Sequence, residues 1–224
     1  KENFDPTQIK NAFSQPRSLP LGIKEYRGNG DYVFEDSCIS HFFSLKSGII
    51  FQNLRRICRY FKEKGLGVGL DVFAPFLSPF VGQNLPLLSG LCDFMKPMMY
   101  RLTNAPAGLP FEMQALLSNT IGEDTLKKKF FYELLNFDPG KKVFDIDFAV
   151  KELDDLAVSS ACPIYAGLEI NRVEKFAEVY PEYVEETTKA YSKANIQGFA
   201  LSWNMLDAPA ENIARFGEAM ARIN

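Results

Sequence analysis

Three charged side chains sit inside largely apolar segments, and each needs a chemical reason to be there. Asp71 lies in LGVGLDVF (66–73), Lys96 in DFMKPMMY (93–100) and Glu169 in CPIYAGLEIN (162–171). A carboxylate buried without a partner costs several kcal/mol, so these groups are expected to meet one another. A facing pair of carboxylates suits the hydrolysis of a glycosidic bond. One protonates the leaving oxygen; the other acts as nucleophile at about 5–5.5 Å or as base toward water at roughly 6.5–9.5 Å. An ammonium beside them would hold a carboxylate ionised. A desolvated lysine can instead be the Schiff-base nucleophile of a class I aldolase-like lyase, although neighbouring carboxylates oppose this by raising its pKa.

The elements that must position these residues are read from periodicity. Asp5-Pro6 predicts a short helix through Phe13, followed by a Pro/Gly-rich loop, QPRSLPLGIKEYRGNGD. A long helix is expected from about Phe34 to Lys64. Its apolar stripe is Ile49, Ile50, Leu54, Ile57, Cys58 and Phe61, with Gly65 as the C-cap. After Gly65 the pattern turns to strand then helix, repeated four times. The strand candidates are 66–73, 93–100, 162–171 and IQGFALSWNML (196–206). Helices are expected around Pro86–Gly90, from Phe111 to Asn119, Glu123 to Asn136, Asp147 to Val158, Pro181 to Ala194 and Glu211 to Arg222. That alternation predicts βα units around a parallel sheet.

No glycine-rich phosphate loop opens a helix, which disfavours a dinucleotide fold. Small residues low in each strand, with polar groups near the C-terminal end, predict a (β/α)8 TIM-type barrel with a functional mouth. Only four strands can be found, all after residue 65. The chain is therefore expected to supply about four C-terminal βα units, a half barrel (65–224), preceded by a helical and loop segment (1–64). An N-terminal half-barrel fragment or a second copy of the chain is the expected partner, because the open edges of such a sheet call for one.

Composition narrows the function classes. The 224 residues carry a formal net charge of -3, which offers no basic footprint for nucleic acid or an anionic membrane. No apolar run reaches membrane-spanning length, and KENFDPTQIK does not read as a signal peptide, so a soluble, cytoplasmic protein is expected. Cys38, Cys58, Cys92 and Cys162 lie far apart with no C-x-x-C pair. That spacing predicts buried reduced thiols rather than a zinc site or a disulfide framework. His41 is the sole histidine and lies in a helical apolar stretch, so a serine triad is disfavoured. No metal and no cofactor are expected.

Candidate binding residues follow from the strand ends, where barrel enzymes draw their chemistry. They are Tyr100 and Arg101, then Asn171, then Trp203, Asn204 and Asp207. Trp203 is the single tryptophan, and an aromatic ring at a barrel mouth is a natural platform for the apolar face of a sugar.

The blocks GLDVFAPFLSPFVGQN, LCDFMKPMMYRLTNAPAGLPFE, IYAGLEINRV and GFALSWNML resemble an uncharacterised bacterial family of glycoside-hydrolase-like (β/α)8-barrel proteins. The resemblance runs from about Gly65 to the C-terminus. Within it, Met98-x-Tyr100 and Trp203 are similar to strand motifs of chitinase-type (family 18) glycosidases. The resemblance implies that Met98 and Tyr100 line the subsite where the bond breaks and that Trp203 forms its floor. The acidic D-x-x-D-x-D-x-E strand of that family is not in this sequence, so its general acid cannot be carried over.

The reading is thus a glycoside-hydrolase-like barrel that binds and hydrolyses a carbohydrate, with Asp71, Glu169 and Lys96 as the catalytic candidates. Two alternatives stand beside it. One is a non-catalytic barrel that binds carbohydrate or protein; the other is a lyase using Lys96.

Overall fold

The structure, a computed structural model, describes residues 5–17, 20–121, 124–135, 137–138 and 143–223. Helix α1 (Pro6–Ser14) starts where the sequence predicts. The Asp5 carboxylate accepts the Thr7 N–H at 2.9 Å, and Pro6 fills the first position, where no donor is needed. The expected Pro/Gly-rich loop holds the first strand and tip of a short antiparallel hairpin, β1 (Ile23–Tyr26), whose second strand β2 (Tyr32–Phe34) follows it. Its tip runs through Gly28, Asn29 and Gly30, all at positive φ.

Helix α2 (Ser37–Lys62) is capped by Asp36, whose carboxylate accepts the Cys38 N–H at 2.7 Å. The chain leaves it through Gly65 at φ +74, and the Leu66 N–H returns to the Phe61 carbonyl. The helix packs on the strand cluster through Phe51 and Leu54, and its Cys58 is buried. The outer part of the expected apolar stripe faces away: Ile49 is 62% exposed and Ile57 51%.

Four parallel strands follow, each close to a predicted position: β3 (Gly69–Phe73), β4 (Phe94–Met98), β5 (Tyr165–Glu169) and β8 (Gly198–Ser202). Between β3 and β4 lies α3 (Leu85–Ser89). Between β4 and β5 lie α4 (Leu109–Thr120), α5 (Thr125–Leu134) and α6 (Ile146–Ser159). Residues Glu123 and Asn136, the expected ends of the α5 segment, lie outside the described residues. A small hairpin, β6 (Arg172–Val173) and β7 (Ala177–Glu178), precedes α7 (Pro181–Tyr191), and α8 (Ala210–Ala221) follows β8.

The expected (β/α)8 barrel, whole or half, is not what these strands build. They form two separate two-stranded parallel sheets, β3–β4 and β5–β8, within a mixed α/β fold. The two sheets touch through one parallel bridge, Met95 to Ile164, with the Met95 N–H on the Pro163 carbonyl at 3.0 Å. The next β4 donor on that side would belong to residue 97. Pro97 has no N–H, so the ladder stops there. Upstream, the described chain contributes an antiparallel hairpin and two helices. Among the described residues there is therefore no further parallel strand with which a barrel wall could close.

Helices cover one side of the strands. Val72, Met95 and Ile164 pack with Leu88 and Leu156 beneath α2 and α6. Leu168 and Ile170 pack with Val184 beneath α7 and α8. A third cluster joins Met99 and Ala166 to Phe76, Phe131, Phe144, Leu153 and the hairpin residues Ile23 and Tyr32. The opposite side of the strands is largely open: Gly69, Asp71 and Phe94 are exposed, and Lys96, Met98, Tyr165 and Ala200 are half-buried.

Candidate binding face at the strand ends

The open face is bulky along β4, and each strand beside it carries one glycine against that bulk. Because parallel strands keep register partners on one face, Gly69, Asp71 and Phe73 stand beside Phe94, Lys96 and Met98. On β5 and β8 the same face carries Tyr165, Gly167 and Glu169 beside Gly198, Ala200 and Ser202. A methyl group at Gly69 would lie 2.1 Å from Phe94 Cζ, and one at Gly167 would lie 2.8 Å from the Pro97 carbonyl oxygen. The glycines let β4 and its side chains lie close against the flanking strands.

Lys96 and Asp71 are direct register partners, and their ion pair closes at 2.8 Å. Only 14% of the Lys96 side chain is exposed, against 64% of Asp71. Burial draws Lys96 toward its neutral form. The hydrogen bond to Asp71 and then the charge and hydroxyl of Tyr100 outweigh this, leaving its pKa above the ordinary 10.5. The ammonium also stands 5.9 Å from the centre of the Tyr100 ring. At the top of the face, Tyr100 Oη and Ser202 Oγ share a hydrogen bond of 2.5 Å.

Glu169 is not part of the Lys96 pair. Its Oε1 accepts the Leu102 N–H at 2.7 Å and the Tyr183 hydroxyl, while Oε2 accepts the Thr103 N–H at 3.0 Å and the Thr103 hydroxyl. Complete burial pushes its pKa up, and these four donors oppose the rise without cancelling it. The carboxylate thus bonds the segment that continues β4 at the point where strand pairing has stopped.

The remaining predicted residues divide into two groups. Asn171 organises the loop after β8: its Nδ2 donates to the Asn204 carbonyl at 2.8 Å, and its Oδ1 accepts the Trp203 N–H. Asn204 in turn caps the turn at Met205–Asp207, accepting the Leu206 N–H and donating to Asp207 Oδ2, both at 3.0 Å. Trp203, joined to Ser202 by a cis peptide bond, is left 45% exposed. Met98 stands opposite Phe73, half-buried. Arg101 instead turns inward. It is buried, with its Nε on the Phe144 carbonyl at 2.8 Å and its Nη1 on Thr187 Oγ1 at 3.0 Å, and its guanidinium lies over the Tyr183 ring.

Sequence reasoning missed Ser202, Thr103 and Tyr183. Ser202 was findable, because it shares the strand phase of Gly198 and Ala200. Thr103 and Tyr183 reach Glu169 from a loop and a helix turn, and nothing in their local pattern marks them.

A separate cleft of about 580 Å3 lies between α2, the β1–β2 hairpin and the loop after β3, lined by Ser40, Ser44, Ser47, Phe43 and Asn84 among others. It contains none of the predicted site residues. Among the described residues no cluster of metal-ligating side chains is assembled, and no helix is long and apolar enough to cross a membrane. No family model, no curated protein and no solved structure matches this chain.

Proposed function

We propose that the open strand face binds a carbohydrate, with Trp203 as the stacking platform, Asp71 and Lys96 as the polar contacts, and the buried Tyr100–Ser202 hydroxyl pair as the support beneath them. The observation that supports this reading is the exposed Trp203 side chain, whose backbone N–H is bonded by Asn171 and which directly follows Ser202 at the end of β8. A flat apolar ring at the end of a strand layer that also carries an ion pair suits a pyranose, which has an apolar face and a polar rim.

Binding is favoured here over hydrolysis. Both oxygens of Glu169 are occupied by protein donors, and Asp71 is paired with Lys96. These two carboxylates therefore do not form a free acid–base pair. The lyase reading is weaker still, because a lysine with a raised pKa keeps its proton and is a poor nucleophile. The four free cysteines fit a reducing compartment, in keeping with a cytoplasmic location.

Trp203 is the only tryptophan, so its fluorescence reports binding directly. Titration with neutral, amino and acidic oligosaccharides is expected to give a saturable change with at least one of them. Calorimetry on Trp203→Ala should then show affinity falling by roughly tenfold or more, equivalent to about 1.4 kcal/mol. An unchanged affinity in that variant, or no saturable signal across the panel, sinks the proposal.

A further inference from the structure

We propose that Cys92 and Cys162 are an oxidation site, a thiol pair that closes into a reversible disulfide across the β4–β5 seam. The two sulfurs lie 3.7 Å apart although the residues are separated by 70 positions in the chain. Each sits in an irregular turn, Cys92 two residues before β4 and Cys162 three residues before β5. Neither lies within a strand or helix, and the Cys92 thiol reaches the Leu88 carbonyl at the end of α3 at 3.6 Å. Bond formation requires the sulfurs to close to about 2.05 Å, a movement that side-chain rotation and a small turn shift supply.

The placement gives the bond a purpose. Beyond the Met95–Ile164 bridge, Pro97 leaves β4 and β5 without further strand pairing. The thiols flank the end of the seam where that single bridge holds, since Met95 and Pro163, its hydrogen-bonded residues, lie three positions and one position away. A disulfide there turns the least-bonded junction of the strand layer into a covalent one.

The oxidant is a peroxide. The thiolate of one cysteine attacks a peroxide oxygen, the O–O bond breaks, and with one proton taken up a sulfenic acid and water result. The second sulfur then attacks the sulfenic sulfur, and its hydroxyl leaves as water with the second thiol's proton. Two thiols and one hydrogen peroxide give one disulfide and two waters; sulfur is oxidised and peroxide oxygen reduced. The pair is slow to react. Burial, followed by the neighbouring Cys162 sulfur, pushes the Cys92 thiol up to about 12, and burial also raises Cys162. Both thiols therefore stay reduced under ordinary conditions and respond only to sustained oxidant. Cys58 on α2 is close enough to act on Cys92 electrostatically and is the competing partner.

The test uses the full chain treated with hydrogen peroxide and mapped by non-reducing peptide mass spectrometry. A Cys92–Cys162 cross-linked peptide, lighter by two hydrogen atoms than the reduced pair, is expected. Thermal unfolding should move up by about 5–10 °C and return on reduction with dithiothreitol. Cys58→Ser should keep both signals and Cys162→Ala should lose both. A Cys58–Cys92 linkage overturns the assignment, as does finding Cys92 and Cys162 unlinked or carried on to sulfinic acid in protein that remains folded.

Discussion

Lys96 and Glu152 show how a single buried ionisable side chain is settled by its partners. Lys96 keeps its proton because Asp71 and Tyr100 together outweigh its desolvation, so it can donate hydrogen bonds to a ligand. Glu152, on α6, has no cation at bonding distance among the described residues. The Tyr26 hydroxyl bonds both its oxygens, at 2.7 and 2.6 Å, and Lys151 and Asp155 act from the same helix with opposite signs. Burial wins, and its pKa rises from the ordinary 4.5 to about 7. The stabilisation given by the protonated carboxyl is fully present below pH 4.5 and is lost as pH climbs to 7. Linkage sets the loss at ~3 kcal/mol. Glu152→Gln keeps an acceptor for Tyr26 and has nothing to ionise. Urea unfolding at pH 4.5 and pH 7.5 should show the variant gaining about that much relative to the parent across the interval. Parallel pH profiles for the two proteins would refute the assignment.

At the scale of elements, the seam between β4 and β5 is the feature that sequence reading anticipated least. Pro97 is visible in DFMKPMMY, and a missing ladder donor inside a strand calls for a bulge or an offset strand. Its actual consequence, the separation of two sheets, depends on which neighbour the absent N–H would have faced. That direction is a property of the assembled sheet. Side chains take over where the ladder stops: Glu169 accepts the amides of Leu102 and Thr103, and the Tyr191 hydroxyl donates to the Met99 carbonyl at 2.8 Å. Close approach is maintained by Gly167. Its replacement by alanine would place a methyl group against the Pro97 carbonyl and 3.0 Å from Tyr100 Cε1. Because the nearest atom is backbone, relief requires β4 to shift. Chemical denaturation of Gly167→Ala should show a loss of about 1–3 kcal/mol. An unchanged midpoint would mean that the strands are not held this tightly.

Across the whole molecule, the strands were legible because apolar residues alternate with glycines and charges at a period of two. The Asp71–Lys96 contact was legible for the same reason, since both lie on the open face of adjacent strands. The N-terminal hairpin was not. Its strands are four and three residues long, and the rings of Tyr26, Tyr32 and Phe80 that pack it meet only after the chain has folded back. Barrel closure was inferred from a pattern that also fits an open arrangement of parallel strands, and local periodicity does not encode the difference. Strand β3 pairs with β4 alone, so its other margin has no strand beside it among the described residues. There the Gln83 side chain places Oε1 2.9 Å from the Phe73 N–H, where a neighbouring strand's carbonyl would otherwise stand. That carboxamide acts as a gatekeeper against self-templating, since an idle donor on a strand margin invites another chain to add to it. Gln83→Ala should fold with little loss of stability yet scatter light earlier than the parent during prolonged incubation near its unfolding temperature. In solubility terms, one glutamine covers the Phe73 donor that a missing strand would otherwise take.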